Sequence, residues 1–232
     1  MKILGLIPAR GGSKGIPRKN IRPLNGKSLI ERAFDCAQSS GVLDRIILST
    51  EDLEIANIAK DLGIEVPFTR PSYAARDESP MIDVALHALS ALLETGYVPD
   101  SLLLLQPDVP SRTPDHLVTA ANLLQDNDSV CSVVPIPPNH SPHYVMKIDD
   151  CGNLSYFLPE GEQIIRRQDV PPAYMRDGTV FLTKSSIIQN DKSFYGHRCI
   201  PMHLAADEVL NLNSWEDWHE AEKKLSSREH SV

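Results

Sequence analysis

No stretch of the 232-residue chain approaches the ~20 consecutive apolar residues that a membrane-spanning helix needs. The N-terminal apolar run, Ile3 to Ile7, is also too short for the core of a signal peptide, and arginine follows it instead of a cleavage site. A cytoplasmic location, with no membrane partner, is the expectation. Cysteine is sparse. Cys36, Cys131, Cys151 and Cys199 lie far apart and form no Cys-x-x-Cys pair, which argues against a zinc site, a redox pair and a disulfide framework. Positive charge is in the minority, with 23 Lys and Arg against 31 Asp and Glu, a net charge of −8. Binding a nucleic-acid backbone requires clustered cations that displace counterions, so no nucleic-acid partner is expected. Two familiar phosphate motifs are missing as well. Gly11, Gly12 and Gly15 do not have the G-x-G-x-x-G spacing. Gly26-Lys27-Ser28 imitates the end of a P-loop, but Ile21 stands where its first glycine must be, and no strand leads into it.

What is present is an alternation of short apolar runs with amphipathic ones. Strands are read at Ile3–Ile7, Arg45–Ser49, Glu65–Phe68, Leu102–Leu105, Val130–Val134 and Thr179–Leu182. Helices are read from Ser28 to Gly41, and over Leu53–Leu62, Met81–Glu94, Asp115–Leu124 and Ser214–Leu225. Ser28 with Glu31 three residues on is a capping box, and Gly41 is a stop. Such alternation predicts an α/β fold, a mostly parallel, Rossmann-like sheet with helices on both faces. Residues 1–232 are read as one domain. Between Pro135 and Arg176 prolines are dense and helical periodicity disappears; Tyr144–Ile148 and Leu154–Phe157 read as two strands about a turn, within an insertion over 135–176.

In a parallel sheet, ligands bind outside the carboxyl ends of the strands. Two segments should meet there: the loop after the first strand, and Gln106-Pro107-Asp108 after the leucine-rich strand. The loop, Pro8 to Asn20, carries three glycines that let backbone N–H groups approach an oxyanion, the cations Arg10, Lys14 and Lys19, and the hydroxyl of Ser13. That combination suits a triphosphate.

Leu6 to Asn20 resembles the opening motif of the CMP-sialic acid synthetase family, the acylneuraminate cytidylyltransferases. The resemblance continues through Arg45–Asp52, Arg70-Pro71 with Ala74 and Asp77, Leu103–Arg112, Arg166–Pro172 with Asp177-Gly178, and Glu208–Trp218. A weaker likeness extends to the eight-carbon Kdo cytidylyltransferases. The resemblance implies transfer of CMP from CTP to a nine-carbon sugar acid. It implies that Arg10, Gly11, Ser13, Lys14, Lys19 and Asn20 hold the CTP phosphates, with Lys14, Lys19 and Arg10 acting in catalysis and Arg70 near the base or ribose. It places Gln106, Arg167, Gln168, Asp177 and Phe181 on the sugar side, with Arg166 a further candidate there, and implies a nucleotidyltransferase sheet whose insertion is a dimerisation arm of a homodimer. Mg²⁺ is the implied cofactor. Here the chain departs from the pattern. Asp108 replaces a usual threonine, and Asn211 and Asn213 replace two usual aspartates, so these three are the candidate metal residues. Asp177 and Phe181 replace a usual asparagine and tyrosine, which points to a sugar other than N-acetylneuraminate, such as a legionaminic or pseudaminic relative. Two alternatives stay open at this point: a cytidylyltransferase for Kdo or another sugar acid, favoured by Asp108, and a catalytically weakened nucleotide-binding relative, favoured by the two asparagines.

Overall fold

A computed structural model describes residues 1–13 and 15–229, apart from the side chains of residues 228 and 229. Lys14, assigned above to the CTP phosphates and to catalysis, lies outside the described residues.

The chain opens with β1 (Ile3–Pro8), buried at every position. A loop leads to the short hairpin β2 (Pro23–Leu24) and β3 (Lys27–Ser28). Its turn is Asn25-Gly26, both at positive φ (47° and 81°), the two-residue geometry that matches strand twist. Ser28 then caps α1 (Leu29–Ser40) in a reciprocal box with Glu31, and Gly41 closes it at φ 66°. Next come β4 (Arg45–Ser49), α2 (Leu53–Asp61), α3 (Met81–Leu93) and β5 (Ser101–Leu104). Thr113 caps α4 (Pro114–Leu124), and β6 (Ser129–Pro135) follows. The insertion contains the hairpin β7 (Met146–Ile148) and β8 (Leu154–Tyr156). The chain returns as β9 (Tyr174–Lys184), α5 (Ser185–Asp191), β10 (Cys199–His203) and α6 (Trp215–Glu229).

Six strands form one sheet in the order β10-β6-β9-β5-β1-β4. β9 runs antiparallel to both its neighbours and the remaining pairings are parallel, so the mostly parallel expectation holds. Glu65–Phe68 is not a strand. Glu65 makes a single bridge to Ile47, and Pro67, without an N–H, cannot extend the ladder.

Apolar residues cover both faces. Ile30, Ala33, Leu117 and Leu124 pack from α1 and α4 on one side; Val84, Leu89 and Leu92 from α3 and Ile188 from α5 pack on the other. A third cluster matters more for function. It joins Ile16 of the loop after β1 to Leu24 and Leu29, to Leu210 and Leu212, and to Trp218, Ala221 and Leu225. Ile16 is only 1% exposed. Burying such a side chain contributes roughly 1.5–3 kcal/mol, which pins the middle of a loop that otherwise has glycine's freedom.

Candidate active site

The loop after β1 owes its shape to close approaches. Gly11 donates its N–H to Glu51 Oε1 at 2.8 Å, and a Cβ there would collide with the Asp52 carboxylate. A Cβ on Gly15 would collide with the carbonyl oxygen of Asn213. Gly12 faces open space. Arg18 sits in the left-handed region at φ 57°, uncommon for a residue with a Cβ. It is held by two contacts with Asp52, at 2.6 and 3.1 Å, and by Glu54. The Arg18 guanidinium in turn holds the Asp52 carboxyl at about 2, well below its ordinary value of 3.8. Asp52 also caps α2, so one carboxylate fixes both loop and helix.

The cations of this loop converge on one cavity. Arg10 pairs with Asp77, and Asn20, buried, donates from Nδ2 to the Arg10 carbonyl at 3.1 Å. Lys19 Nζ donates to the Leu212 carbonyl at 2.8 Å and lies 3.2 Å from Asp108 Oδ2. Arg70 enters from the far wall. It is 4% exposed and donates to the Ser49 hydroxyl at 3.0 Å and to the Ser49 carbonyl. Burial, aided by the Arg10 charge, lowers the Arg70 pKa to about 10, so the group remains a cation at neutral pH. Arg10, Ser13, Lys19, Asn20 and Arg70 line a chamber of about 360 Å³.

A second chamber, about 570 Å³, adjoins the first. Met81, Gln106, Asp108 and Asn213 line both and form the boundary. Asp177, Phe181 and Asn211 line the second chamber, together with Arg176, Phe194 and Tyr195, which the sequence reading did not single out. Arg176 donates to the Tyr195 hydroxyl at 2.5 Å. Phe194 and Tyr195 come from the loop after α5, where no periodic pattern marks them. Arg112 sits behind the boundary, 6% exposed. It donates to the carbonyls of Gln106 and Thr179 at 2.9 and 2.7 Å, and so ties the end of β5 to β9.

Arg167 and Gln168 are not brought to either chamber by this chain. They sit exposed on a single turn, Arg167–Asp169, within the insertion, and the neighbouring Arg166 pairs with Asp169. The candidate metal residues do converge: Asp108, Asn211 and Asn213 all line the second chamber. No group of three His, Cys, Asp or Glu side chains suited to a metal occurs among the described residues, so the site offers one carboxylate and two carboxamides. Asn211 Nδ2 donates to the Asp177 carbonyl at 2.6 Å, which leaves its amide oxygen for other use.

Comparison with known proteins adds a family profile, three relatives and a solved structure. The profile of the family described as cytidylyltransferase matches residues 4–208. The chain is 33% identical to CMP-N,N'-diacetyllegionaminic acid synthase of Legionella pneumophila over 100% of both chains. It is 30% identical to pseudaminic acid cytidylyltransferase of Campylobacter jejuni over 89% of this chain and 90% of that one. With N-acylneuraminate cytidylyltransferase of Escherichia coli it shares 28% identity over 94% of its length, but spans only 50% of that longer protein. Among solved structures, CMP:2-keto-3-deoxy-manno-octonic acid synthetase complexed with CTP superposes with a TM-score of 0.74 over 98% of this chain and 100% of that one. At 15% identity that likeness is one of fold.

Proposed function

The chain belongs to the cytidylyltransferase family, and from that premise we propose that it transfers CMP from CTP to the anomeric hydroxyl of a sialic-acid-like nonulosonic acid, releasing pyrophosphate. The observation that carries this reading is the pair of chambers meeting at Asp108, one rich in fixed cations, the other walled by aromatic and polar side chains.

CTP occupies the first chamber, its phosphates against Arg10, Ser13 and Lys19 and its nucleoside toward Arg70. The sugar acid occupies the second, with Gln106, Asp177 and Phe181 around it. At the boundary the anomeric oxygen bonds to the α-phosphorus, the bond from that phosphorus to its bridging oxygen breaks, and the hydroxyl proton is lost to solvent. Negative charge grows on the departing pyrophosphate. Preorganised cations aimed at that charge stabilise the transition state more than the ground state. Holding both reactants in line removes much of the entropic cost, so no covalent enzyme intermediate is needed.

Asp108, Asn211 and Asn213 fit Mg²⁺. They are hard oxygen donors, and this ion commonly binds through one or two carboxylates, with waters and substrate phosphates completing its shell. When bound it would neutralise triphosphate charge. We place the enzyme in the cytoplasm as a homodimer. No described helix is long and apolar enough to cross a membrane. The insertion exposes Ile148, Leu154 and Phe157 at 72%, 62% and 57%, an apolar surface suited to a second copy.

Pyrophosphate release tests the reaction. With CTP and Mg²⁺, legionaminic-, pseudaminic- and neuraminic-type acids are expected to give turnover, with the eight-carbon Kdo poorer. Binding of CTP with no turnover on any acid would overturn the reading.

A further inference from the structure

An acid entering the second chamber brings a negative charge, and Arg176 is the one Lys or Arg among the described residues that line it. Two carboxylates line it as well, and both are answered elsewhere. Asp108 lies 3.2 Å from Lys19 Nζ, and Asp177 accepts the Ser132 hydroxyl at 2.9 Å and the Thr179 N–H at 2.7 Å. Arg176 has no such counterpart. Arg10, Arg18, Arg45 and Arg166 each pair with a carboxylate, whereas no Asp or Glu among the described residues pairs with Arg176. Arg176 is exposed, and its guanidinium makes one hydrogen bond among the described residues, from Nη1 to the Tyr195 hydroxyl at 2.5 Å.

That bond orients the guanidinium. The backbone is held where β9 pairs with β6 at Arg176–Val133. Tyr195, also exposed and lining the chamber, is anchored through its backbone by the hydroxyls of Ser129 and Ser193, and its ring meets Phe181 edge-on with centroids 6.3 Å apart. A phenol oxygen that accepts keeps its own O–H to give, so the remaining guanidinium N–H groups and the Tyr195 O–H form one cluster of donors. Gly178, two residues along β9 and so about 7 Å away, borders Gln106 Oε1 at the boundary between the chambers. Arg176 therefore stands within the breadth of a sugar acid from that boundary.

We propose that Arg176, oriented by Tyr195, is the specificity-determining residue that receives the carboxylate of the acid substrate. A guanidinium meets a carboxylate through parallel N–H bonds, which fixes orientation as well as charge. The carboxylate is bonded to the anomeric carbon, so holding it turns the anomeric hydroxyl toward the α-phosphorus. This rests on the second chamber being the sugar site, as assigned above. It departs from the family resemblance, which put Arg167 and Arg166 on the sugar side; this chain leaves both exposed on the insertion.

The experiment measures kcat/KM for a nonulosonic acid and for its C1 carboxamide, which has the same shape and no charge. The wild-type enzyme is expected to favour the acid by about tenfold to a hundredfold, the worth of a hydrogen bond to a charged group. Arg176→Gln is expected to lose that factor on the acid alone, so that the ratio falls toward one while KM for CTP is unchanged. Arg176→Lys should restore part of it, since the charge returns without the planar fork. Tyr195→Phe, which keeps the ring and removes the hydroxyl, should narrow the ratio less. Equal losses on acid and carboxamide in Arg176→Gln would mark a merely structural role and overturn the proposal. A ratio that survives in Arg176→Gln and collapses in Arg167→Gln would overturn it as well. No wild-type turnover with any acid is a separate result, which would overturn the assignment of the reaction and the proposal with it.

Discussion

Lys19 Nζ lies 3.2 Å from Asp108 Oδ2 on the line where the two chambers meet. The ammonium is also fixed by the Leu212 carbonyl, and Leu212 donates its own N–H to the Asp108 carbonyl at 2.9 Å. The pair is therefore rigid before any ligand arrives, which is what electrostatic catalysis requires. Lys19→Met keeps the length of the side chain and removes its charge. The expected result is a fall of about 10²–10³ in kcat, the usual cost of losing one preorganised donor. Single-turnover measurement of CMP transfer checks it; an undiminished rate would remove Lys19 from the chemistry.

The glycines of the loop separate into a closely packed position and an open one. Gly15→Ala drives a methyl into the Asn213 carbonyl, a contact between two backbones that no rotamer relieves. It is expected to destabilise the fold by about 1–3 kcal/mol, as overpacking does. Gly12→Ala meets open space, so stability should stay within about 0.5 kcal/mol while KM for CTP rises. Urea unfolding and CTP titration of the two variants distinguish these roles, and equal loss of stability in both would contradict the assignment.

The pairing of Arg18 with Asp52 predicts an acid limb of stability. The folded-state pKa of Asp52 is lowered from 3.8 to about 2. A depressed carboxylate contributes stability that is fully present above its unfolded value and is lost as pH falls through the folded one. The contribution should therefore fade between about pH 4 and pH 2. Both side chains are partly solvated, so Asp52→Asn is expected to cost only about 1 kcal/mol at pH 7. Urea midpoints of the two proteins should converge as the pH approaches 2, and a difference that persists unchanged at pH 2 would refute the linkage.

These features differ in how far the residues announced them. β1, β4, β5 and β6 are buried apolar runs, and each was legible as such. The Ser28–Glu31 box set the start of α1 for a local reason that tertiary contacts did not override. The Asn25-Gly26 hairpin had a strong local signal too, but the strands it joins are only two residues each, too short to show a strand pattern. Only Thr179–Leu182 of β9 was visible, because its first residues, Tyr174 to Arg176, are exposed and lack alternation. β10 contains Pro201, which speaks against a strand; it is tolerated because β10 lies at the sheet edge. In the site, the glycine-and-cation loop could be read directly, since its chemistry is concentrated in one segment. The second chamber has no such segment: its walls come from β9, the start of α3 and the loops after β5, α5 and β10, so Gln106, Asp108, Asp177, Phe181, Asn211 and Asn213 were given roles only through the family resemblance, and Arg176, Phe194 and Tyr195 were missed.

The single carboxylate at the chamber boundary leads to a prediction in the direction of gain. Charge count sets the affinity of a hard-cation site, and a carboxamide contributes an oxygen without charge. Asn213 lines both chambers, its backbone N–H is held by Asp217 at 2.9 Å, and its side chain is exposed, so a change there leaves the backbone anchored. Asn213→Asp adds a second carboxylate beside Asp108 and is expected to lower the Mg²⁺ concentration for half-maximal activity about tenfold. Asp108→Ala removes the first and should raise it by at least as much, and Asn213→Ala should have the smaller effect of losing a neutral ligand. Metal titration of pyrophosphate release at saturating CTP orders the three variants. If Asp108→Ala leaves the Mg²⁺ dependence where it was, Asp108 is not a ligand, and its pairing with Lys19 serves only to orient the ammonium.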